Sequence, residues 1–278
     1  MTLVVKLGSG TDRDAVLDDI AALTAQGTRV VLVHGGGAEA DRLSGQLGRT
    51  VEHLRSADGT SARRTDPAAL DTLTMALLGR VKPALLSGLR RRGIAATGLS
   101  GADGGTLTAV RKTALRVDDG GGRVRIVRDD LSGRVDRVDP ALLRALLAAG
   151  HLPVLSPPAA AEDGMLLNVD ADRAAAAVAR ALEATALVLL TRAPGVLGDP
   201  GRPDTLLPDL DVGPAAPLPP SVRGRMRHKL RSAADALAGG VELVAIAPGH
   251  GPAPVRAALQ ARSGTRLHLT ATTHRRPA

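Results

Sequence analysis

Four lysines and one asparagine stand out in this chain of 278 residues, because arginine supplies 32 of its 36 basic side chains. A lysine carries a compact ammonium charge that the planar guanidinium of arginine does not reproduce. Lys6 and Lys229 are two of the four lysines, and Asn168 is the only asparagine. Ammonium groups are suited to neutralising a phosphoryl group in transfer. We therefore interpret these three residues as parts of one phosphoryl-transfer site.

Two glycine-rich turns near the N-terminus could bind an oxyanion. They are Lys6-Leu7-Gly8-Ser9-Gly10 and His34-Gly35-Gly36-Gly37. Backbone N–H groups in such turns can bind an anion, and the turns after neighbouring parallel strands face the crevice where ligands of open α/β sheets bind. Taken alone, each turn could equally be an ordinary strand-to-helix connection. Neither matches the P-loop or the dinucleotide-binding glycine pattern, which disfavours a Rossmann dehydrogenase.

The order of the predicted elements is that of an α/β protein. Short apolar segments bounded by glycine predict strands over residues 3–6, 29–33, 93–98, 151–155, 185–191, 241–246 and 265–269, the last at a sheet edge. Capped segments with one apolar face predict helices over about 12–26, 37–48, 139–150, 172–184 and 223–238, a long helix from residue 66 kinked at Pro83, and a short helix near Val255. Strands that alternate with helices predict a mainly parallel sheet covered on both faces.

Two segments depart from this alternation. Residues 106–135 alternate apolar and polar side chains around a turn at residues 118–122, which predicts a β-hairpin. Residues 198–220 hold many of the 18 prolines and predict mainly a loop.

The composition limits the classes of function. A hydrophobic content of 44% provides for a sizeable core, while the absence of cysteine excludes disulfides, thiolate nucleophiles and cysteine-bound zinc. The seven histidines show no metal-ligand spacing, so we expect no structural metal. The net charge of +8 attracts polyanions, but no aromatic residue is present to stack on bases, so we expect no nucleic-acid partner. No apolar run fits a signal peptide or a membrane span, which favours a cytoplasmic protein without a membrane partner.

Seven blocks of sequence together resemble the amino acid kinase family. In chain order they are Lys6-x-Gly8-Ser9, His34-Gly35-Gly36-Gly37, Ala62-Arg63-Arg64-Thr65-Asp66, Leu99-Ser100-Gly101, Leu167-Asn168-Val169-Asp170-Ala171-Asp172, Leu190-Thr191-Arg192-Ala193-Pro194-Gly195 and Gly224-Arg225-Met226-x-x-Lys229. The resemblance covers nearly the whole chain. Within the family the chain is most similar to the acetylglutamate kinase group, especially the kinases that act on aminoadipate or glutamate attached to LysW, a small acidic carrier protein. The hairpin carries the closest similarity, with Arg111-Lys112-Thr113-Ala114 followed by Arg123, Arg125, Arg128 and Ser132-Gly133.

The resemblance implies a fold and a reaction. The fold would be an open αβα sandwich with a mainly parallel central sheet, as in amino acid kinases and carbamate kinases, and with a β-hairpin insertion. Residues 1–175 would form an N-terminal lobe that binds the acyl amino acid or its carrier, and residues 176–278 a C-terminal lobe that binds ATP. The reaction would transfer the γ-phosphoryl group of ATP, with Mg²⁺, to a side-chain carboxylate. A homodimer is also expected.

The resemblance also implies roles for particular residues. The catalytic groups would be the two lysines and the aspartate that positions them, namely Lys6, Lys229 and Asp172. The acyl substrate would be bound by Gly35, Gly36, Gly37, Arg63 and Asn168. ATP would be bound by Gly8, Ser9, Thr191, Arg192, Gly195 and Met226. A carrier protein would dock on Arg111, Lys112, Arg123, Arg125 and Arg128.

Simpler roles remain alternatives for some of these residues. Arg63 could be one surface arginine among many, Asn168 a turn residue and Asp172 a helix cap. Lys82 matches no functional position, and we expect its side chain to be solvated. Ser9 and Arg192 depart from the usual pattern of the group, where glycine and an aspartate or asparagine stand, and Arg192 therefore leaves the details of ATP contact open.

Three functions remain open at the level of sequence. In the first, the basic hairpin docks an acidic carrier whose terminal residue enters the cleft. In the second, the enzyme phosphorylates free N-acetylglutamate, and the basic surface is incidental. In the third, the protein is a regulator that binds a nucleotide or an amino acid without catalysis, although the retention of both lysines in a lysine-poor chain argues against it.

Overall fold

The computed structural model describes residues 1–56, 61–118, 124–213 and 216–270. The α-helices in these ranges are α1 (Arg13–Ala25), α2 (Gly37–Gln46), α3 (Pro67–Ala76), α4 (Lys82–Arg91), α5 (Ala141–Ala148), α6 (Ala171–Ala181), α7 (Gly224–Ala238) and α8 (Pro254–Leu259). A π-helical turn, Leu77–Val81, joins α3 to α4, and two short 3₁₀ helices span Asp103–Gly105 and Pro203–Thr205.

The strands in these ranges are β1 (Thr2–Leu7), β2 (Arg29–His34), β3 (His53–Ser56), β4 (Ser61–Arg63), β5 (Ala96–Ser100), β6 (Leu107–Arg111), β7 (Leu115–Asp118), β8 (Val124–Val127), β9 (Gly133–Val138), β10 (Leu152–Ser156), β11 (Ala159–Ala160), β12 (Leu166–Leu167), β13 (Ala186–Thr191), β14 (Val196–Leu197), β15 (Leu206–Leu207), β16 (Asp209–Val212), β17 (Leu243–Pro248) and β18 (Thr265–Leu269).

Eight of these strands form the central sheet, in the order β16-β18-β17-β13-β1-β2-β10-β5. All neighbouring strands are parallel except β17 and β18. Side chains alternate between the two faces, so Val4 joins the core beneath α6 and α7 while Leu3 and Val5 join the core beneath α1, α4 and α8. The sheet therefore lies between two helical layers, which confirms the predicted open αβα sandwich.

The register of β1 and β2 brings the two glycine-rich turns together. Leu7 pairs with His34, so both strands end at the same edge of the sheet. The Gly8-Ser9-Gly10 turn follows β1 and the Gly35-Gly36-Gly37 turn follows β2. The carboxyl edge of the sheet is therefore the side on which the predicted site residues meet.

The helix signals in the sequence correspond to observed caps. The carboxylate of Asp66 accepts a hydrogen bond from Ala69 N at 2.8 Å, and Pro67 occupies the first turn of α3. The predicted kink at Pro83 lies one turn earlier than expected. Proline has no N–H to give to the preceding turn, and the chain relaxes there into the π-helical segment.

The predicted hairpin is present as the antiparallel pair β7 and β8, with Leu115 opposite Val127. Residues 119–123, which include most of its predicted turn, lie outside the described residues. The hairpin belongs to a four-stranded sheet in the order β4-β3-β7-β8, which we call the insertion sheet. A second four-stranded sheet has the order β12-β11-β6-β9. The insertion sheet has β4, the strand that ends at Arg63, as one of its edges.

The segment 198–220 was predicted as loop, and this is wrong for its central part. Residues Asp209–Val212 form β16, which pairs with β18 in parallel and becomes the edge of the central sheet. Consequently β18, predicted as the edge strand, is an interior strand. A four-residue strand among prolines and aspartates has too short an alternating pattern to be recognised. The short strands β3, β4, β11, β12, β14 and β15 were likewise not predicted.

The division of the chain into two lobes stays a prediction about binding roles. Residue 175 lies within α6, and both apolar cores combine side chains from before and after this point, such as Val4 with Leu230 and Leu3 with Val255. None of the helices in the described ranges has the length and apolar character that crossing a membrane requires.

Candidate active site

Two lysine side chains share one carboxylate at the carboxyl edge of the central sheet. Lys6 Nζ lies 2.8 Å from Asp172 Oδ1. Lys229 Nζ donates to both oxygens of the same carboxylate, at 2.9 Å from Oδ1 and 2.8 Å from Oδ2. We call these three residues the lysine–aspartate cluster. They come from β1, α6 and α7, so residues far apart in the sequence converge as the family resemblance implied.

The cluster is buried and carries a net positive charge. The three residues are 7–8% exposed, and two ammonium groups face one carboxylate. Burial opposes ionisation of Asp172, but Lys6 and Lys229 outweigh it and hold the pKa of this carboxyl at about 2. Burial, reinforced by the like charge of Lys6, lowers the pKa of Lys229, and Asp172 partly offsets this. The cluster thus has one more ammonium group than carboxylate, which favours binding of an anion.

Local sequence explains why Asp172 is available to the lysines. Asp170 is the N-cap of α6 and accepts from the backbone N–H groups of Asp172 and Arg173, both at 2.9 Å. The alternative in which Asp172 caps the helix is therefore wrong. On α7, Lys229 lies among the buried residues that include Leu230, so the helix turns its ammonium group inward.

The Gly8-Ser9-Gly10 turn, whose first two residues were predicted to contact ATP, lies against the end of β13. Gly8 has no room for a side chain, because a Cβ there would collide with the carbonyl oxygen of Leu190. Thr11 Oγ1 donates to the Gly8 carbonyl at 3.0 Å and closes the turn, while Ser9 is exposed. Thr191, the last residue of β13, therefore lies beside this turn, where a predicted contact with ATP is sterically possible.

The other residues predicted to bind ATP lie around the same end of the sheet. The aliphatic stem of Arg192 packs over Gly10, and the residue is exposed. Gly195 is buried against Leu206 and Thr265, and Met226, one helical turn before Lys229, is partly buried against the core. An open cavity of about 540 Å³ lies nearby, lined by Gly198, Asp199, Pro200, Pro220, Ser221 and Arg223. None of its lining residues was predicted, although Arg223 is the N-cap of α7.

The second glycine turn lies between the cluster and Arg63. Gly35 faces the Cβ of Ala171, the residue before Asp172. Gly36 packs against the π-helical turn, where a Cβ would be 2.5 Å from Leu77 Cδ2. Arg63 Nη2 donates to the carbonyl oxygen of Gly37 at 3.0 Å. The structure thus brings the predicted acyl-binding glycines and Arg63 into contact and places them next to the lysine–aspartate cluster.

Asn168 is linked to Arg63 through a residue that was not singled out. Asn168 Nδ2 donates to Thr65 Oγ1 at 3.1 Å, and this hydroxyl donates to the Arg63 carbonyl at 3.3 Å. Thr65 is fully buried, and Asp130 accepts its N–H at 2.8 Å. A buried threonine beside two predicted ligands could have been inferred from its block. Asp130 gave no signal, because its contact depends on a fold across 65 residues.

The cations predicted for carrier docking have different environments. Arg111 donates to the carbonyl oxygens of Asp130 and Arg128, so its guanidinium clamps the hairpin. Arg125, 57% exposed, pairs with Glu52 at 3.1 Å. Arg128 is exposed, and the described residues provide no ion-pair or hydrogen-bond partner for its side chain. Arg123 lies outside the described residues.

Lys112 stands apart from these arginines. Desolvation by neighbouring groups and the charge of Arg173 lower the pKa of its ammonium group, and the charges of Asp130 and Asp170 partly offset this. The side chain nevertheless keeps contact with solvent. Lys112 therefore lies near the start of α6, where Asp170 and Arg173 are located.

The expectation that Lys82 is solvated is wrong. Its side chain is buried under Gly98, and the ammonium group donates to the carbonyl oxygen of Leu99. Burial lowers the pKa of Lys82 to about 8, and the charge of Asp103 partly offsets this. His34 lies on the same face of the sheet, fully buried. Burial together with Lys82 and Lys6 lowers its pKa to about 4, against the contact of its Nδ1 with the Gly35 carbonyl.

Comparison with known proteins identifies the family. The sequence profile described as the amino acid kinase family matches residues 1–247, and the chain belongs to this family. It is 38% identical over 259 residues to "[LysW]-aminoadipate kinase" of Deinococcus radiodurans, covering 92% of this chain and 88% of that protein. It is also 38% identical over 257 residues to "Acetylglutamate kinase" of Synechococcus sp. (strain CC9311), covering 90% and 84%.

Solved structures agree with the fold. N-acetylglutamate synthase from Neisseria gonorrhoeae, in complex with coenzyme A and N-acetyl-glutamate, superposes with a TM-score of 0.74 at 29% identity over 98% of this chain. The chain spans 60% of that protein. Carbamate kinase from Giardia lamblia bound to AMP-PNP superposes with a TM-score of 0.62 at 15% identity, covering 97% of this chain and 98% of that one, and this likeness shows the fold alone.

Family and relatives together define the class of enzyme. The protein is an ATP-using phosphotransferase that acts on a carboxyl group, a carboxylate kinase of amino acid biosynthesis. The predicted resemblance to the amino acid kinases, and within them to the acetylglutamate kinase and LysW-type enzymes, is confirmed. The roles of the individual residues stay proposals.

Proposed function

We propose that this kinase phosphorylates the side-chain carboxylate of aminoadipate or glutamate attached through its amino group to a small acidic carrier protein. The observation that carries the catalytic part of the proposal is the lysine–aspartate cluster. Its excess positive charge lies between the two glycine turns, one predicted for ATP and the other for the acyl substrate. A γ-phosphoryl group in transit would pass between these turns.

The geometry supports a role for each member of the cluster. An attacking carboxylate is already a nucleophile, so no general base is required, and catalysis consists of alignment and neutralisation of charge. Lys6 and Lys229 would hold the transferred phosphoryl group from β1 and α7. Asp172, which accepts from both, would keep the two ammonium groups at a fixed separation before ATP binds. Because the groups are preorganised and desolvated, each contact should stabilise the transition state strongly.

Mg²⁺ fits this site only as a companion of the nucleotide. Within the residues that the structure describes, no three histidine, aspartate or glutamate side chains stand together as a metal site. Asp172 is already engaged by two lysines. Mg²⁺ commonly keeps several waters and binds mainly through substrate phosphates. We propose that the ATP phosphates carry it and that it neutralises charge which the lysines do not reach.

The acyl side of the site supports an N-blocked amino acid with a free α-carboxylate. Arg63 presents a guanidinium beside Gly37, and a guanidinium matches a carboxylate in two parallel hydrogen bonds. Asn168 offers a donor and an acceptor on one side chain, which suits a substrate amide. Its link through Thr65 to Arg63 couples the two groups. A blocked amino group has no charge and needs no carboxylate partner. Within the described ranges Asp41 pairs with Arg63 and Asp130 accepts from Thr65 N, so both carboxylates already have partners.

The insertion sheet supports the choice of a carrier over a free substrate. Arg63 ends one edge strand of this sheet, and the opposite edge strand β8 carries Arg125 between two apolar side chains, Val124 and Ile126, each 51% exposed. Exposed apolar residues beside arginines are typical of protein-docking surfaces. Among the relatives, the protein of Deinococcus radiodurans is named for a LysW-linked substrate. The acetylglutamate kinases among the relatives make free N-acetylglutamate the second candidate.

Hydroxylamine trapping tests the proposal, because an acyl phosphate reacts to form a hydroxamate. The protein is incubated with ATP and either a small acidic carrier bearing a terminal aminoadipate or free N-acetylglutamate. We expect hydroxamate from both at high concentration, with a higher kcat/KM for the carrier-linked substrate. Hydroxamate from N-acetylglutamate alone would overturn the carrier proposal. No product from either would overturn the proposed acceptor chemistry. A homodimer, also proposed, is tested separately by sedimentation.

A further inference from the structure

Asp41 occupies the guanidinium that is proposed to bind the substrate. Asp41 Oδ1 lies 2.5 Å from Arg63 Nη2, and the same nitrogen donates to the Gly37 carbonyl at 3.0 Å. Arg63 has 14% of its side chain exposed, whereas Asp41 has 46%. Asp41 lies on α2, one helical turn after Gly37. Neither the family resemblance nor any predicted motif singled out this residue.

The geometry of a guanidinium makes this contact incompatible with full binding of a carboxylate. A carboxylate held by two parallel N–H bonds uses Nη2 in both possible arrangements, either with Nη1 or with Nε. Nη2 carries two hydrogens. In the structure this nitrogen donates to the Gly37 carbonyl, and Asp41 Oδ1 lies 2.5 Å from it. A ligand can therefore form only single bonds to Arg63 until Asp41 releases Nη2.

We propose that Asp41 is a specificity-determining residue that holds Arg63 in place and is displaced by the α-carboxylate of the acyl substrate. The inference rests on the proposed function, because it requires Arg63 to bind that carboxylate. The half-exposed Asp41 can turn into solvent, while the more buried Arg63 keeps its contact with Gly37. A ligand without a carboxylate has no group that replaces Asp41 in charge and geometry. Asp41 thus favours carboxylate-bearing substrates by competing with every other ligand.

Asp41→Asn tests this competition. An exposed ion pair of this type contributes little, so the variant should lower the KM for the acyl substrate by about two- to fivefold, with kcat and the KM for ATP unchanged. The KM for the α-carboxamide analogue of the substrate should fall by at least the same factor. The enzyme's preference for the substrate with the free α-carboxylate over this analogue should therefore not increase. Binding of the acyl substrate without ATP, measured by calorimetry, should tighten by the same factor as KM.

Glu39→Gln is the matched control. Glu39 lies on the same helix and pairs with Arg42 and Arg80, so its loss removes the same charge without a contact to Arg63. We expect an unchanged KM. An Asp41→Asn variant whose KM is unchanged, increased, or lowered only as much as in Glu39→Gln would overturn the inference.

Arg63→Lys separates failure of this inference from failure of the proposed function. Lysine cannot form the two-bond arrangement, so the variant should raise the KM for the acyl substrate and abolish the gain from Asp41→Asn in the double variant. If Arg63→Lys leaves KM unchanged, the assignment of Arg63 as the carboxylate anchor is wrong. If Arg63→Lys raises KM but Asp41→Asn does not lower it, the anchor stands and the role of Asp41 is overturned.

Discussion

The two faces of the central sheet each bury cations at the same edge, and they do so in different ways. On the face covered by α6 and α7, Lys6 and Lys229 share the carboxylate of Asp172. On the face covered by α1 and α4, the ammonium group of Lys82 donates to the carbonyl oxygen of Leu99, and no carboxylate among the described residues forms an ion pair with it. His34 lies near Lys82, and its buried Nε2 has no hydrogen-bond partner among the described residues.

The difference shows what a carboxylate does for a buried lysine. Asp172 keeps its charge, with a pKa of about 2, and its carboxylate partly offsets the lowering of the pKa of Lys229 by burial and by the charge of Lys6. Among the described residues no carboxylate pairs directly with Lys82, and burial, only partly offset by the charge of Asp103, lowers its pKa to about 8. The first arrangement sets two ammonium groups around one carboxylate, which suits the binding of a phosphoryl group. The second holds a cation that becomes neutral slightly above physiological pH.

Lys229→Met is the most severe test of this comparison. The variant removes the unbalanced charge and leaves Lys6 paired with Asp172, so the fold should persist. Loss of one preorganised donor costs roughly 2.7–4 kcal/mol of transition-state stabilisation, so kcat should fall by about 10²–10³-fold. The rate of hydroxamate formation measures the loss, and circular dichroism checks the fold.

Arg231→Met is the control for Lys229→Met, because Arg231 is an exposed cation on the same helix. Its rate should match that of the unmodified enzyme. Undiminished hydroxamate from Lys229→Met would remove this lysine from the mechanism. The cations buried on the two faces of the sheet would then not differ in a catalytic role.

The lysine–aspartate cluster was accessible from the sequence because rare residue types and ordered motifs mark it. Lys6 and Lys229 stand out in an arginine-rich chain, and Asp172 follows Asn168 in one block. The strands and helices around them have long, buried and well-capped patterns, so β1, α6 and α7 were predicted nearly as observed. Local patterns and motif order were sufficient for this part of the molecule.

The buried cation on the second face of the sheet, the contact of Asp41 and the edge strand β16 could not be predicted from local patterns and motifs. The burial of Lys82, which begins α4, depends on Gly98, which leaves space for the lysine stem and lies on β5. Asp41 contacts Arg63 only because α2 packs near β4, and Asp41 is one of many aspartates. The strand β16 requires β18 as a partner. These features arise from contacts between distant segments, which composition and periodicity do not report.

The pH dependence of stability gives a second test of the comparison. The pKa of His34 is about 4 in the folded protein against 6.5 for an unperturbed histidine. The unfolded chain therefore takes up the proton first as the pH falls, and the stability that is fully present above pH 6.5 is lost as the pH falls toward 4. This single group should contribute a loss on the order of 3 kcal/mol, measured by urea unfolding.

The effect of Lys82 on the pH dependence of stability has the same sign, at higher pH. Its pKa is lowered from 10.5 to about 8, so stability should rise as the pH is raised through this interval. His34→Asn should remove the acidic part of the profile and Lys82→Met the basic part. His151→Asn, a change to an exposed histidine, should leave both parts intact. If the profiles of His34→Asn and Lys82→Met follow that of the parent protein, these two groups are not desolvated as the structure indicates.

The exposed arginines of the hairpin give the third test. Its expected effect is the smallest, because solvent weakens the interactions of exposed charges more than those of buried ones. Arg125 and Arg128 face solvent, and Glu52 already compensates Arg125. Reversing both charges, in Arg125→Glu/Arg128→Glu, should slow electrostatic capture of an acidic carrier by about tenfold at low salt. The turnover of free N-acetylglutamate should not change, because its site lies at the sheet edge.

The control for the hairpin variant is Arg90→Glu/Arg91→Glu, which makes the same change in net charge at the end of α4. We expect this control to leave kcat/KM for both substrates within about twofold of the parent value, because charges beyond a Debye length of about 10 Å are screened. The defect of the hairpin variant should also shrink as salt is raised, since exposed charges are screened and the buried cluster is not. An equal loss with the carrier-linked and the acetylated substrate would show that the hairpin cations act on the fold or on catalysis. In that case the contribution of these arginines to activity would depend on their position in the insertion sheet and not on their exposure to solvent.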